Sequence, residues 1–158
     1  MKVIVISDTH GNLDDSFDLL SNLKDIDMLI HLGDFSKDVE KINEEFDLEV
    51  YNIKGNCDIG DYNTEEEQII NLKEKKVLLT HGHKYGVKMG IERLYYKAKE
   101  LNVDMVLFGH SHVPMKIEYD DILFFNPGSI TLPRRGSKRS YGVIEFKSKL
   151  KTKIINVE

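Results

Sequence analysis

The sequence predicts an α/β (α+β) protein in which two packed mixed β-sheets are flanked by helices. Two observations carry this. The first half alternates apolar, β-branched runs with helical patterns, and almost everything after residue 113 reads as strand. A βαβαβ opening demands a sheet covered on both faces, and a β-rich finish supplies a second sheet to cover one of them.

The elements follow in order. KVIVIS, from Lys2, is a buried strand because nearly every position is apolar and β-branched. Leu13, Phe17, Leu20 and Leu23 then share one helix face, with Asp14 and Asp15 in the first turn, where the helix dipole favours anions. DMLIHL is the second strand, Val39, Ile42 and Phe46 mark the second helix, and LEVYNIK is the third strand. EEQIINLKEKKVLLT predicts a hairpin with its charged turn at Lys73 to Lys75. Val87, Ile91, Leu94, Tyr95, Ala98 and Leu101 have helical spacing, and DMVLF returns to strand. VPMKIEY, ILFFN, SYGVIEF and KTKIINV complete the β-rich part.

The chain has 158 residues, the size of one domain spanning 1–158, with 41% hydrophobic and 31% charged residues. A net charge of −5 argues against polymeric nucleic acid or an anionic membrane as partner. The single cysteine, Cys57, permits no internal disulfide and points to a reducing cytoplasm. The opening MKVIVISDTH has one Lys and too short an apolar run for a signal peptide, and no stretch is long enough to span a bilayer. A homo-oligomer stays open.

Functional information concentrates where the apolar runs stop. VIVIS leads into Asp8-Thr9-His10, MLIHL into Gly33-Asp34, and VYNIK into Gly55-Asn56-Cys57-Asp58. KVLLT leads into His81-Gly82-His83, and MVLF into Gly109-His110-Ser111-His112. Ligands of open α/β sheets bind beyond the carboxyl ends of the strands, so all five stretches are expected to deliver Asp, Asn or His to a single edge. Alternation along an extended chain would place the two ends of D-x-H and of H-x-H on one side. The adjoining glycines allow sharp turns and close backbone approach. Five of the six histidines lie in these stretches. The sixth, His31, is read as a structural residue.

Asp8, His10, Asp34, Asn56, His81, His110 and His112 are too many ligands for one ion and suit a pair of divalent ions bridged by Asp34. The mixed N/O donors point to Mn²⁺, Fe, Ni²⁺, Co²⁺ or Zn²⁺ rather than Ca²⁺ or a structural Cys-zinc site. Two such ions against Asp8, Asp34 and a bridging hydroxide leave net positive charge, which matches a monoanionic phosphodiester.

D-x-H, G-D, G-N-x-D, the H-G of THGH and G-H-x-H, in that order over about two-thirds of the chain, resemble the calcineurin-like metallophosphoesterases. GNCD, with NPGS (126–129) and Pro133-Arg134, is similar to their small prokaryotic phosphodiesterase branch, the YfcE type. The resemblance implies a four-layer αββα sandwich with a dinuclear centre often supplied with Mn²⁺. It implies one ion held by Asp8, His10, Asp34 and His112, and the other by Asp34, Asn56, His81 and His110. It further implies hydrolysis of a small phosphoester by attack of a metal-bridging hydroxide, with Asn56 and Arg134 stabilising phosphoryl charge. Many members of the superfamily have histidine as general acid where this chain has Cys57.

Asp58 is a candidate catalytic residue that could instead hold its loop, and His83 is either a donor beside the ligands or a proton carrier. Arg135, Lys138 and Arg139 read as a solvated turn, NPGS as a turn or a loop packed on the site, and DIGDYNTEEE as a solvated loop. Two rival functions accompany the phosphodiesterase reading. One is a phosphomonoesterase on the same site; the other is a non-catalytic interaction scaffold of the retromer-subunit type.

Overall fold

The computed structural model describes residues 1–157. Ten strands and three α-helices are present among them. Five strands form a first sheet in the order β10 (Leu150–Asn156), β9 (Ser140–Phe146), β1 (Lys2–Ile6), β2 (Met28–His31), β3 (Glu49–Asn52). The second sheet runs β4 (Glu67–Leu72), β5 (Lys75–Thr80), β6 (Met105–Phe108), β8 (Ile122–Asn126), β7 (Met115–Tyr119). Strands β1, β2 and β3 are mutually parallel, as are β5, β6 and β8; the other strands pair antiparallel. Both sheets are therefore mixed, as predicted.

The layers follow from the two-residue period of a strand. Val3 and Val5 face inward and join Ile30, Val77, Leu79, Met105, Leu107 and Phe125 in the core between the sheets. Their neighbours Ile4 and Ile6 face outward and are covered by Leu20 of α1 (Asp14–Asn22) and Ile42 of α2 (Asp38–Phe46). On the second sheet Leu78, Val106 and Phe108 face outward beneath Leu94 and Ala98 of α3 (Glu92–Leu101). With both faces covered, the strands have to be apolar at consecutive positions. Each fully buried aliphatic or aromatic side chain contributes about 1.5–3 kcal/mol, so these layers hold the fold together without help from any ligand.

Three local expectations are corrected. Val87 precedes α3: Glu92 opens the helix, and a short 3₁₀ turn occupies His83–Tyr85. The β4–β5 turn is tighter than the charge run suggested, because Lys75 already pairs with Leu72. The motif-bearing ends lie on both sheets, since β1, β2 and β3 belong to the first and β5 and β6 to the second. A rim between two packed sheets lets ligands approach from opposite walls, which one flat edge does not. No described helix is long and apolar enough to cross a membrane.

Candidate metal centre

The two sheets meet at this rim through backbone and imidazole. His81, just beyond β5, donates from Nδ1 to the Leu32 carbonyl after β2 at 2.7 Å. His112 does the same from Nδ1 to the Leu132 carbonyl at 2.6 Å. Each bond fixes the ring so that Nε2 points into the site, the usual way a protein orients a metal-binding histidine. Burial opposes protonation there, but Asp34 and Asp8 outweigh it and raise the pKa of both rings, so a cation binding at Nε2 would displace a proton.

The Nε2 atoms converge on two carboxylates. Asp8 Oδ1 lies 3.1 Å from His112 Nε2, 3.9 Å from His81 Nε2 and 4.0 Å from His10 Nε2. Asp34 reaches both sides, with Oδ1 3.3 Å from His81 Nε2 and Oδ2 3.7 Å from His10 Nε2. Two overlapping clusters result, Asp8–His10–Asp34–His112 and Asp34–His81–His110, each with donor atoms within 4.8 Å of one another. Asp34 is common to both.

Asp8 Oδ1 and His81 Nε2 are buried and out of line for any hydrogen bond. Buried polar atoms are ordinarily paired, and two unpaired ones facing each other mark a place shaped for a cation. The donor set, imidazole nitrogen with carboxylate oxygen, fits a divalent transition metal.

The backbone differs from the alternating strand expected for D-x-H and H-x-H. Asp8, His10, Asp34, His110 and His112 have left-handed φ of 57°, 50°, 59°, 67° and 56°. They lie past the strand ends in tight loops, because β1 closes at Ile6 and β6 at Phe108. Such conformations cost about 1–3 kcal/mol each and persist only where the surroundings enforce them. Two glycines show the crowding. A Cβ at Gly55 would collide with Asp34 Oδ1, and one at Gly109 with Ser7 Oγ.

Burial works to raise the pKa of Asp8, but His112, His81 and the Ser7 hydroxyl outweigh it, so the carboxyl stays ionised below its usual range. Asp34 is held lower in the same way, burial being outweighed by His81 and by the Cys57 amide. Burial, with the positive charges of His81 and Lys88, pushes His110 down to about 4, so its imidazole is neutral and free to bind a cation.

The remaining candidates sit around this cluster. Asn56 is exposed, and its Nδ2 donates to Cys57 Sγ at 3.6 Å, while the Cys57 amide donates to Asp34 Oδ1 at 2.9 Å. Asp58 faces its own loop, Oδ1 accepting from the Ser36 amide and Oδ2 from the Gly55 amide, both at 2.7 Å. The His83 ring centroid is 6.0 Å from that of His110, and its Nδ1 is buried without a partner. Arg134 is exposed and donates its amide to the His112 carbonyl at 3.2 Å. His31 is fully buried with its ring nitrogens on Thr9 Oγ1 (3.2 Å) and Asn52 Oδ1 (3.1 Å), so its surroundings are those of a structural residue.

Sequence reasoning passed over several supports. Ser7 Oγ donates to Asp8 Oδ2 at 2.6 Å, and Asp38 accepts from Thr9 Oγ1 (2.6 Å) and the Gly11 amide (2.9 Å), tying the Asp8–His10 loop to α2. The available signal was a small polar residue where a wholly apolar strand stops. NPGS, by contrast, was read as a turn or a loop packed on the site, and it takes the second form: Asn126 Nδ2 donates to the Gly109 carbonyl at 2.9 Å, and Ser129 Oγ donates to the Asp8 carbonyl at 3.0 Å.

Asp61 anchors the loop after Asn56 by accepting from Ser36 Oγ at 2.5 Å and from the Asn63 and Thr64 amides. Burial opposes its ionisation, but these donors hold its pKa well below the usual carboxylate range. Its contribution is thus full above the unfolded pKa of about 3.9 and is lost as pH falls through the folded value. Asp61→Ala should cost about 1–3 kcal/mol at neutral pH, with the difference from wild type shrinking in acid. Urea melts from pH 7 down to pH 3 measure this, and a pH-independent difference would contradict the assignment.

Comparison with known proteins bears on this geometry directly. The calcineurin-like phosphoesterase superfamily domain matches residues 1–149. The chain belongs to that superfamily. It is 36% identical over 152 residues to the probable metallophosphoesterase YsnB of Bacillus subtilis, covering 94% of this chain and 86% of YsnB. It is 28% identical over 170 residues to the phosphodiesterase YfcE of Escherichia coli, covering 92% and 88%. The fold is also that of Vps29 from Entamoeba histolytica, solved in complex with Zn²⁺, with a TM-score of 0.79, 24% identity and 98% of each chain covered. The expected family and sandwich architecture are thereby found.

Proposed function

We propose that the chain is a dinuclear metal-dependent phosphodiesterase acting on a small phosphoester. One ion is assigned to Asp8, His10, Asp34 and His112, the other to Asp34, Asn56, His81 and His110. The observation that carries this is the pair of clusters sharing Asp34, with Asp8 Oδ1 and His81 Nε2 buried and unpartnered between them. Mn²⁺ is taken as the occupant because the phosphodiesterase branch that the chain resembles is often supplied with it; the N/O donor set accommodates Mn²⁺, Ni²⁺, Co²⁺, Fe or Zn²⁺. Such a pair of ions supplies an acidic water and positive charge against phosphoryl oxygens.

The chain's own residues divide the remaining work. Asn56 Nδ2 and the Arg134 guanidinium, whose side chain has no hydrogen bond among the described residues, are assigned to the non-bridging phosphoryl oxygens. Asp58 positions Asn56 through the loop amides and does not touch substrate. His83, kept neutral by burial and by the neighbouring His81 charge, is assigned as a relay that accepts a proton at one ring nitrogen as it releases one from the other toward the departing alcohol. Cys57 is pushed up to about 11 by burial and by Asp34, so it remains a neutral thiol. It therefore adds no positive charge to meet the second negative charge of a monoester, which favours the diester.

The test is purification without added metal, followed by assays of each divalent ion against bis(p-nitrophenyl) phosphate and p-nitrophenyl phosphate. With Mn²⁺ the diester should turn over roughly tenfold faster, the effect of about 1.4 kcal/mol in the barrier. A monoester preference would move the assignment to the monoesterase. Absence of hydrolysis with two ions bound would move it to the interaction scaffold.

A further inference from the structure

The surface around the centre is chemically lopsided. On the His110–His112 side it is basic. Both the Arg134 amide and the Ser137 hydroxyl donate to the His112 carbonyl, at 3.2 and 3.3 Å, which pins the 134–137 turn against a candidate ligand. Arg135, left-handed at φ 51°, reaches from this turn and donates from Nη2 to the Lys88 carbonyl at 3.2 Å. That bond joins segments 47 residues apart and brings exposed Lys88 beside exposed Arg135. Lys88 has no side-chain hydrogen bond or ion pair among the described residues. In a chain of net charge −5, the segments carrying Lys88 and Arg135 thus meet beside the His110–His112 loop.

Exposed apolar side chains also border the centre. Phe35 is 40% exposed with its ring centroid 5.4 Å from that of His10, and Ile59 is 91% exposed on the loop that Asp58 fastens to the Ser36 amide. A phosphodiester has two arms, and these flanks differ in what they accept: one suits a flat apolar ring, the other a second anion.

We propose that Lys88 and Arg135 form an anion subsite beside the metal centre, which selects nucleotide-type diesters carrying a further terminal phosphate. This rests on the phosphodiesterase reading for its substrate and on the Lys88–Arg135 juxtaposition for its location. The guanidinium and ammonium groups receive the terminal phosphate, the first as a fork and the second as a point charge. The Phe35–Ile59 flank receives the base of the opposite nucleoside.

Two measurements on the Mn²⁺-loaded protein decide it. By calorimetry, thymidine 3′,5′-bisphosphate should bind about tenfold more tightly than thymidine 5′-monophosphate, the scale of one charge-assisted phosphate contact. The advantage should shrink as salt is raised. In steady-state assays the dinucleotide pTpT should show a KM lower than that of TpT by about the same factor. The double variant Lys88→Ala/Arg135→Ala should erase both preferences yet hydrolyse bis(p-nitrophenyl) phosphate within about twofold of wild type, because neither residue is assigned to a metal ion or to the scissile phosphate. Equal binding of the two thymidine nucleotides to wild type would overturn the subsite, as would a preference that survives in the double variant. If bis(p-nitrophenyl) phosphate is not hydrolysed, the diesterase reading fails while calorimetry still decides the subsite.

Discussion

Replacing Asp34 with Asn is expected to lower the metal content from about two ions per chain to one or fewer and to reduce diester turnover by about 10³-fold or more, beyond the 10–100-fold typical of residues that only support ligands. Asp34 belongs to both donor clusters, and its two oxygens face His81 and His10 separately. Asn keeps the volume and can still accept from the Cys57 amide, which donates to Oδ1 at 2.9 Å. What it removes is the negative charge shared by the two sites, and it turns a donor NH₂ toward one of the imidazoles. The fold should survive, because the three apolar clusters lie between and outside the sheets rather than at the rim. Elemental analysis after dialysis, circular dichroism and a bis(p-nitrophenyl) phosphate assay make the comparison. A folded Asp34→Asn protein that retains both ions and its turnover would falsify the shared-ligand assignment.

The sheets and helices were legible because burial on both faces writes itself as unbroken runs such as VIVI and MVLF. The candidate ligands stood out because Asp, Asn and His recur where those runs end, and the structure brings the Asp and His candidates into two overlapping clusters. What could not be read was how the chain turns to achieve this. Alternation along a strand suggested that Asp8 and His10 share a side, but their left-handed φ values of 57° and 50° come from loop strain that no residue pattern announces in non-glycine residues. The division of the ligands between two sheets was hidden for a different reason. Nothing local in KVLLTHGH says that His81 will hydrogen-bond to Leu32, 49 positions earlier. Asp38 was missed likewise, being an ordinary helix-start residue until the fold carries it to Thr9. Asp58 stood between a catalytic and a loop-holding reading in G-N-x-D, and its two carboxylate oxygens accept from the amides of Ser36 and Gly55.

The second large effect separates the two histidines of FGHSH. His112 stands in the cluster with Asp8 and His10, its Nε2 3.1 Å from Asp8 Oδ1 and 3.4 Å from His10 Nε2. His110 stands in the other, with its ring centroid 5.0 Å from that of His81. His112→Ala should therefore empty the site shared with Asp8 and His10, and His110→Ala the site shared with His81 and Asn56. Each should lower turnover by about 10²-fold or more, since the proposed attack needs both ions. The two variants should differ in metal-free stability. His112 Nδ1 is bonded to the Leu132 carbonyl at 2.6 Å, and truncation strands that acceptor at a cost of about 1 kcal/mol. The His110 ring makes no hydrogen bond among the described residues, so its loss spares the apo protein that cost. Backbone strain does not distinguish them, because both positions are left-handed, at φ 67° and 56°. Anomalous diffraction from Mn²⁺-soaked crystals of each variant shows which site empties, and urea melts in EDTA rank the apo proteins. If both variants lose the same ion, the histidines do not divide between two sites; if either keeps both ions and full turnover, that histidine is no ligand.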